Sequence, residues 1–417
     1  MAPLPGSENN NKPGVKLPAV VDLAEKGSTN LTILEAVMKQ TGVYALSRGG
    51  RISVYWGDQV FIPSAPVEYD AKHHIDILCS LGPMLTAEQW EEKGMQKYGL
   101  IAVNTAGNAA QVEKVTHATA TRLLASLGEL EKVGVSLGSF SMSYGILDRM
   151  LGEFAKEIAA KEGKLDTDPH FWMPLTLPVQ SYIEIMEQKG VDREKSLAHH
   201  ERMQAMWSDF SKTDSLGLGL FGAVDVGSSC YWWDYGQLRL YHCNNFLMTK
   251  DSEEAAACRA FYSVSDGHTK GSQINLEKVT VCDRSLVLSS TIPSGSINTS
   301  FISNSTVLGS ADVKDCIMVR STVKSVKGSG FILYNVCSDE DLELQPGDVV
   351  AQVYSPDGTS VLMRTKLDID SGKKWKEVLD GNPKSFEQIY FDNQTVDISA
   401  AFQAADSQHD KLAQTKL

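Results

Sequence analysis

The sequence has little of what marks a membrane, secreted or nucleic-acid-binding protein. No apolar run reaches the length needed to span a bilayer, and the start Met1-Ala2-Pro3-Leu4-Pro5 contains no signal-peptide core. Basic excess is also lacking: a net charge of −13 argues against nucleic acid or an anionic membrane as partner, since both require a basic surface. That charge still allows a local basic pocket for a phosphorylated small molecule. The 7 cysteines are scattered, with no CxxC spacing and no metal-ligand pattern. Such an odd, dispersed set suits free thiols in a reducing compartment. A cytoplasmic location is therefore expected, although a plastid leader already removed leaves the same signs. No Ser-His-Asp or Cys-His spacing points to a covalent nucleophile.

What is present is the content of an ordinary globular protein. The chain has 417 residues, 42% hydrophobic and 22% charged, enough for two domains with cores of their own. Residues 1–14 are polar and rich in Pro, Asn and Gly, and read as a disordered leader. A short strand is expected over 17–22 and a helix over 28–42, with Ile33, Leu34, Val37 and Met38 on its apolar face. Strand-like runs over 51–56, 98–104 and 110–115 then alternate with helical patterns over 87–94, 117–128 and 144–162. In the last of these, Leu147, Met150, Leu151, Phe154 and Ile158 share one side. More helix, charged and solvated, follows over 186–212, where His199 and His200 read as solvent-exposed. This alternation to about residue 250 indicates an α/β sandwich with a largely parallel sheet. Beyond about residue 275 helical periodicity disappears. Phe301, Val307, Val313 and Val319 stand six apart, and Ile317 and Val323 form a second six-step pair. A repeat of that length indicates a parallel β-helix. The expected domains are thus an α/β domain over 15–272, a β-helix with a C-terminal β region over 273–400, and a polar tail over 401–417.

Two aspartates carry the chemistry. Trp56-Gly57-Asp58-Gln59 ends a β-branched and aromatic run. Gly57 permits a tight turn and close approach of a ligand, with Gln59 beside it. Asp58 then presents a hard oxygen at the carboxyl end of the strand, where open α/β sheets bind ligands and where Mg²⁺ is held against phosphate oxygens. Far downstream, Trp232-Trp233-Asp234-Tyr235-Gly236 ends a second aromatic run the same way. Two carboxylates from separate strand ends can share one cation that bridges phosphates. A plain turn at Asp58 and a buried aromatic anchor at Trp232-Trp233 are the bland alternatives.

In motif order these features resemble the sugar-1-phosphate nucleotidylyltransferases, or nucleotide-sugar pyrophosphorylases. Gly57-Asp58 looks like the family's metal motif, and Trp232-Trp233-Asp234-Tyr235-Gly236 like its tryptophan-x-aspartate-x-glycine. Val112-Glu113-Lys114 resembles the valine-glutamate-lysine strand, and Leu137-Gly138-Ser139-Phe140 the small-residue strand that lines the sugar pocket. The resemblance implies a Rossmann-like catalytic domain followed by a left-handed β-helix that serves assembly as a homo-oligomer. It implies Mg²⁺ held by Asp58 and Asp234, Lys114 on the sugar phosphate, Glu113 on the sugar, and Gly57, Gln59 and Gly138 lining the substrates. Lys16, in Val15-Lys16-Leu17-Pro18, matches the lysine-proline that follows the family's triphosphate loop. The implied reaction joins a nucleoside triphosphate, UTP foremost, to a sugar-1-phosphate, glucose-1-phosphate foremost, and releases pyrophosphate. Guanylyl transfer is the nearest rival.

The pattern is not complete. No glycine-x-glycine-threonine-arginine loop occurs in residues 1–50, and Arg48-Gly49-Gly50-Arg51 reads as a turn. Gly217-Leu218-Gly219-Leu220-Phe221-Gly222 matches GxGxxG literally, but it lies late, among apolar residues, and reads as a decoy. A truncated or non-catalytic paralogue acting as a regulatory or assembly subunit is therefore the alternative. An acyl-CoA-dependent acyltransferase on a hexad β-helix is disfavoured, because residues 275–370 contain no histidine.

Overall fold

Apolar runs too long and too continuous for a half-exposed strand need covering on both faces, and the first sheet provides that. The computed structural model describes residues 2–3, 16–17, 50–54, 58–64, 72–160, 167–262, 264, 269, 271–369 and 374–415. Contacts divide the chain into two units. One comprises Met1–Val37, Gly57–Val60 and Trp233–Leu417; the other comprises Met38–Trp56 and Phe61–Trp232. The expected 28–42 helix lies outside the described residues. So does the expected 17–22 strand apart from Leu17, which belongs to a two-residue strand, Lys16–Leu17, antiparallel to Ala2–Pro3.

The Met38–Trp56 and Phe61–Trp232 unit is built on a mixed sheet. Its strands run in the order Ala109–Glu113, Gly99–Asn104, Leu130–Ser143, His73–Gly82, Gly219–Asp225, with Arg51–Val54 also on Leu130–Ser143. Among the described residues only His73–Gly82 and Gly219–Asp225 pair in parallel; the other pairings are antiparallel. The expectation of a largely parallel sheet is corrected here. The 14-residue strand Leu130–Ser143 pairs antiparallel with three others. At Gly134 a Cβ would fall 1.8 Å from the Ser80 carbonyl oxygen, so only glycine lets the strands approach there.

Alternation along Gly99–Asn104 sends Leu100 and Ala102 to one core and Ile101 to the other. Leu123, Leu124, Tyr182 and Met186 cover the first face, and Ile146, Met150, Met203 and Met206 the second. The 144–162 pattern resolves into two helices, Tyr144–Glu153 and Ala155–Ala160. Met150 and Phe154 are buried as expected, whereas Leu151 and Ile158 are exposed. His199 and His200, expected in solvent, are anchors instead: their Nε2 atoms bond the carbonyls of His170 and Leu177. An ion pair between Arg51 and Asp76 at 3.0 Å, both almost fully buried, ties Arg51–Val54 to His73–Gly82.

In the Trp233–Leu417 stretch a parallel β-solenoid of about five turns follows helices Leu238–Leu247 and Glu253–Phe261. One wall stacks Leu286–Leu288, Phe301–Ser303, Ile317–Val319, Ile332–Tyr334 and Asp348–Tyr354 in parallel. Antiparallel Ser360–Lys366 then extends that wall as its last strand. Successive turns advance 15 or 16 residues, as Leu286, Phe301, Ile317 and Ile332 show. The six-residue spacing marks passage from one wall to the next, and it shortens where the chain turns. Left-handed corners recur at Ser289, Asn304, Arg320 and Asn335, and again at Thr299, Asp315 and Gly330. Inside, Ile302, Val307, Val313, Met318 and Val323 share a core. A buried serine ladder satisfies the corners: Ser305 Oγ donates to the Ser303 carbonyl and accepts from the Ser321 N–H. The polar tail is mostly a helix, Ile398–Ala413, laid on the solenoid through Arg320–Asp406 and His409–Thr322 contacts. Among the described residues no helix is long and apolar enough to cross a membrane.

Candidate functional site

Asp58 and Asp234 come together. Strands Gln59–Ile62 and Tyr231–Asp234 pair, and the Tyr235 N–H donates to the Asp58 carbonyl at 2.7 Å, which sets both aspartates at the same end of the pair. The carboxylates meet over Gly236. A Cβ placed there would lie 2.8 Å from Asp58 Oδ2 and 3.0 Å from Asp234 Oδ1. The absent side chain is therefore what gives the two carboxylates room. Asp234 is firmly held: its Oδ1 accepts from the Gly236 N–H and its carbonyl from Asn244 Nδ2, both at 2.7 Å. The flanking aromatics are anchors, Trp233 through its indole N–H to Glu254 and Tyr235 through Tyr262. Burial pushes the Asp234 carboxyl up to about 6; the Asp58 charge adds to the rise, and the Gly236 bond opposes it.

Among the described residues no group of three or more His, Cys, Asp or Glu could hold a metal ion. Two carboxylates are nevertheless a fitting donor set for Mg²⁺, which keeps several waters and takes its remaining oxygens from phosphate. Burial is the main cause of the raised Asp234 pKa and the Asp58 charge a smaller one; a cation between the two carboxylates would favour the ionised form. Gly57 lies outside the described residues. Gln59 opens its strand beside Asp58, and Lys16 lies in the short N-terminal strand.

Glu113, Lys114 and Gly138 belong to the other unit. Glu113 is bonded through Oε1 to Lys114 at 2.9 Å and through Oε2 to Lys189 at 2.5 Å. Burial works against its carboxylate, but those two bonds outweigh it and hold the pKa below the ordinary value. Lys114 is exposed and adopts a left-handed backbone, φ 56°. Gly138 is also left-handed, and its N–H donates to Ser136 Oγ at 3.2 Å.

Two residues the sequence reading passed over complete this cluster. Gly99 pairs with Glu113, and above its missing side chain sit Asp168 Oδ2 and Gln111 Nε2, each 3.1 Å from where a Cβ would be, with Ser136 Cβ at 3.7 Å. Gln111 is fully buried, and its Oε1 has no hydrogen-bond partner. Burial pushes the Asp168 carboxyl up to about 6; Glu113 adds to the rise, and Gln111, Thr167 and Lys114 oppose it. The period-2 rule placed Gln111 on the same face as Glu113 and was a usable signal. Asp168 is remote in sequence and gave none.

Two site-like patterns prove structural. Gly219 and Gly222 of the GxGxxG run accommodate the His73 imidazole: a Cβ on Gly222 would fall 2.0 Å from His73 Nδ1. The other pattern is in space rather than sequence. His74 Nδ1 lies 2.8 Å from Ser143 Oγ and its Nε2 3.2 Å from Asp214. This order imitates a hydrolytic triad, yet Ser143 and His74 are buried and Ser143 Oγ caps the Tyr144–Glu153 helix. No protein-family model matches the chain, and no curated protein matches it. The site must therefore be judged on its own chemistry.

Proposed function

We propose that the chain is a Mg²⁺-dependent nucleotidyltransferase that joins a nucleoside triphosphate, UTP foremost, to a sugar-1-phosphate, glucose-1-phosphate foremost, and releases pyrophosphate. The observation that carries this reading is the meeting of the Asp58 and Asp234 carboxylates over Gly236. Asp58 and Asp234 would hold Mg²⁺, which when bound offsets the charge on the triphosphate. Two polyanions must be brought together in this reaction, so the protein's part is mostly positioning and charge neutralisation. Lys114, exposed and cationic, would offset the attacking phosphate. Glu113, kept ionised by Lys114 and Lys189, would accept from sugar hydroxyls. The motif order and the solenoid after the α/β region support the same reading, which carries with it a Rossmann-like catalytic unit, left-handed winding, a homo-oligomer and a cytoplasmic setting.

The test is pyrophosphate release from UTP and glucose-1-phosphate with and without Mg²⁺, repeated with GTP and mannose-1-phosphate. The expected result is Mg²⁺-dependent turnover that Asp58→Asn and Asp234→Asn each reduce by two or more orders of magnitude. No turnover with any pair, together with tight Mg²⁺-dependent binding of a sugar nucleotide, would instead identify a non-catalytic binding subunit. Neither binding nor turnover would end the proposal.

A further inference from the structure

The fully buried Gln111 side chain is hard to account for by folding alone. Buried amides are almost always hydrogen-bonded, and one whose oxygen is left without a donor destabilises the fold unless something else supplies it. Here Gln111 Oε1 has no partner, while its Nε2 and Asp168 Oδ2 both overhang Gly99, the one position on that strand without a side chain. Next to them, Gly99, Ser136 and Asp168 are only half-buried, so the notch they form is open at one side.

The groups around this notch make a consistent set. The Gln111 amide offers donors and an acceptor. Ser136 offers a hydroxyl that both donates and accepts. A carboxyl raised to about 6 by burial, as Asp168 is, spends part of its time as a neutral acid able to donate and accept. Hydroxyl groups present the same dual character, whereas a phosphate offers acceptors only and would be repelled by Asp168 and Glu113. The site therefore suits a neutral ring bearing several hydroxyls, with the Lys114 ammonium adjacent through Glu113 for a charged substituent.

We propose that Gln111 and Asp168, set over Gly99, form a hydroxyl-reading pocket for a polyhydroxylated ring, with Asp168 as a specificity-determining residue. That the ring is the sugar of a sugar-1-phosphate rests on the function proposed above. A pocket built to bond a particular hydroxyl rejects the analogue that lacks it, because its own buried groups are then left unpaired.

Isothermal titration of the full chain with glucose-, mannose-, galactose- and fucose-1-phosphate, and with the free sugars, tests this. At least one is expected to bind, and the monodeoxy analogues of that sugar should include one that binds about tenfold or more weaker. Asp168→Asn, which is isosteric, and Gln111→Met should each weaken the parent about tenfold and erase the difference between parent and that analogue. The deoxy series on the unaltered protein needs no variant, so a folding defect in either does not affect it. Binding of none of these sugars, or loss of affinity by the variants that is equal for parent and every analogue, overturns the pocket. Binding of UTP with Mg²⁺ is read in the same titrations. A sugar that binds where UTP with Mg²⁺ does not would sink the nucleotidyltransferase reading and keep the pocket, and the converse would do the reverse.

Discussion

Replacing Asp234 by asparagine should make the cation-free protein more stable at neutral pH, although Asp234 is placed at the centre of the functional site. Its carboxyl stands at about 6 in the folded chain against an ordinary 3.8, because of burial and then the Asp58 charge. A raised carboxyl pKa means the folded state holds its proton longer than the unfolded one. Below about pH 3 the group is protonated in both states and costs nothing. As pH rises from about 4 to 6 the unfolded chain ionises first, and folding stability falls. Above about 6 the full difference applies, about 3 kcal/mol, and the folded state carries a buried, ionised Asp234 beside Asp58. The introduced amide would keep an oxygen for the Gly236 N–H and would offer its NH₂ to Asp58. At about 2–4 °C per kcal/mol, Asp234→Asn should raise the melting temperature at pH 7 without divalent cation by about 6–12 °C, and by no more than about 2 °C at pH 4. Mg²⁺ should stabilise the original chain at pH 7, where Asp234 is ionised, and should not stabilise the variant. Asp168 titrates in the same window for a similar reason, so the difference between the two proteins is the quantity to read. Melting curves from pH 4 to 7.5, with EDTA and with Mg²⁺, provide it. Equal pH slopes in the two proteins, with the same Mg²⁺ effect, would refute the reasoning.

Three further outcomes are expected. Gly236→Ala places a methyl 2.8 Å from Asp58 Oδ2 and 3.0 Å from Asp234 Oδ1; it should displace the carboxylates and abolish the Mg²⁺ melting shift while far-ultraviolet circular dichroism stays unchanged. Asp76→Asn leaves the Arg51 guanidinium buried without its ion-pair partner, a change that typically costs about 3–5 kcal/mol and should appear as a lower urea midpoint. Gly222→Ala drives a Cβ to 2.0 Å from His73 Nδ1; overpacking of this kind costs about 1–3 kcal/mol, and nucleotide binding should not change, because the GxGxxG run serves packing. A large loss of nucleotide affinity in a still-folded Gly222→Ala would show that assignment to be wrong.

Much of the molecule was legible from local pattern. The solenoid declared itself through aliphatic residues recurring at short intervals among small polar ones, because every turn must send a side chain inward and take a corner that serine, asparagine or glycine tolerates. The exact period was not legible. Thr299, Asp315 and Gly330 take corners 15 or 16 residues apart, and only stacking in three dimensions fixes that spacing. The Asp58 and Asp234 pairing was reachable because each stands beside an aromatic run and a glycine in the sequence, although only Asp234 ends a described strand and Asp58 precedes Gln59–Ile62. That Gly236 makes the room between them was not, since a glycine's role depends on what approaches it.

Local pattern did not reveal the central strand His73–Gly82, but it did give the strands over 98–104 and 110–115, the helices over 87–94 and 117–128, the change of character near residue 275 and the choice of Asp58 and Asp234. These are properties of periodicity and of residues a few positions apart, where side-chain direction follows from backbone geometry alone. Tertiary structure alone decided strand direction in the first sheet, since an apolar run buried on both faces reads the same in either direction. It also decided which polar residues are structural and which are left waiting. His74 lies between Asp214 and Ser143, which caps a helix, whereas Gln111 and Asp168, 57 positions apart, meet over Gly99 with the Gln111 Oε1 unfilled. Whether a buried polar group has a partner is set by neighbours distant in the chain, and no local pattern contains them.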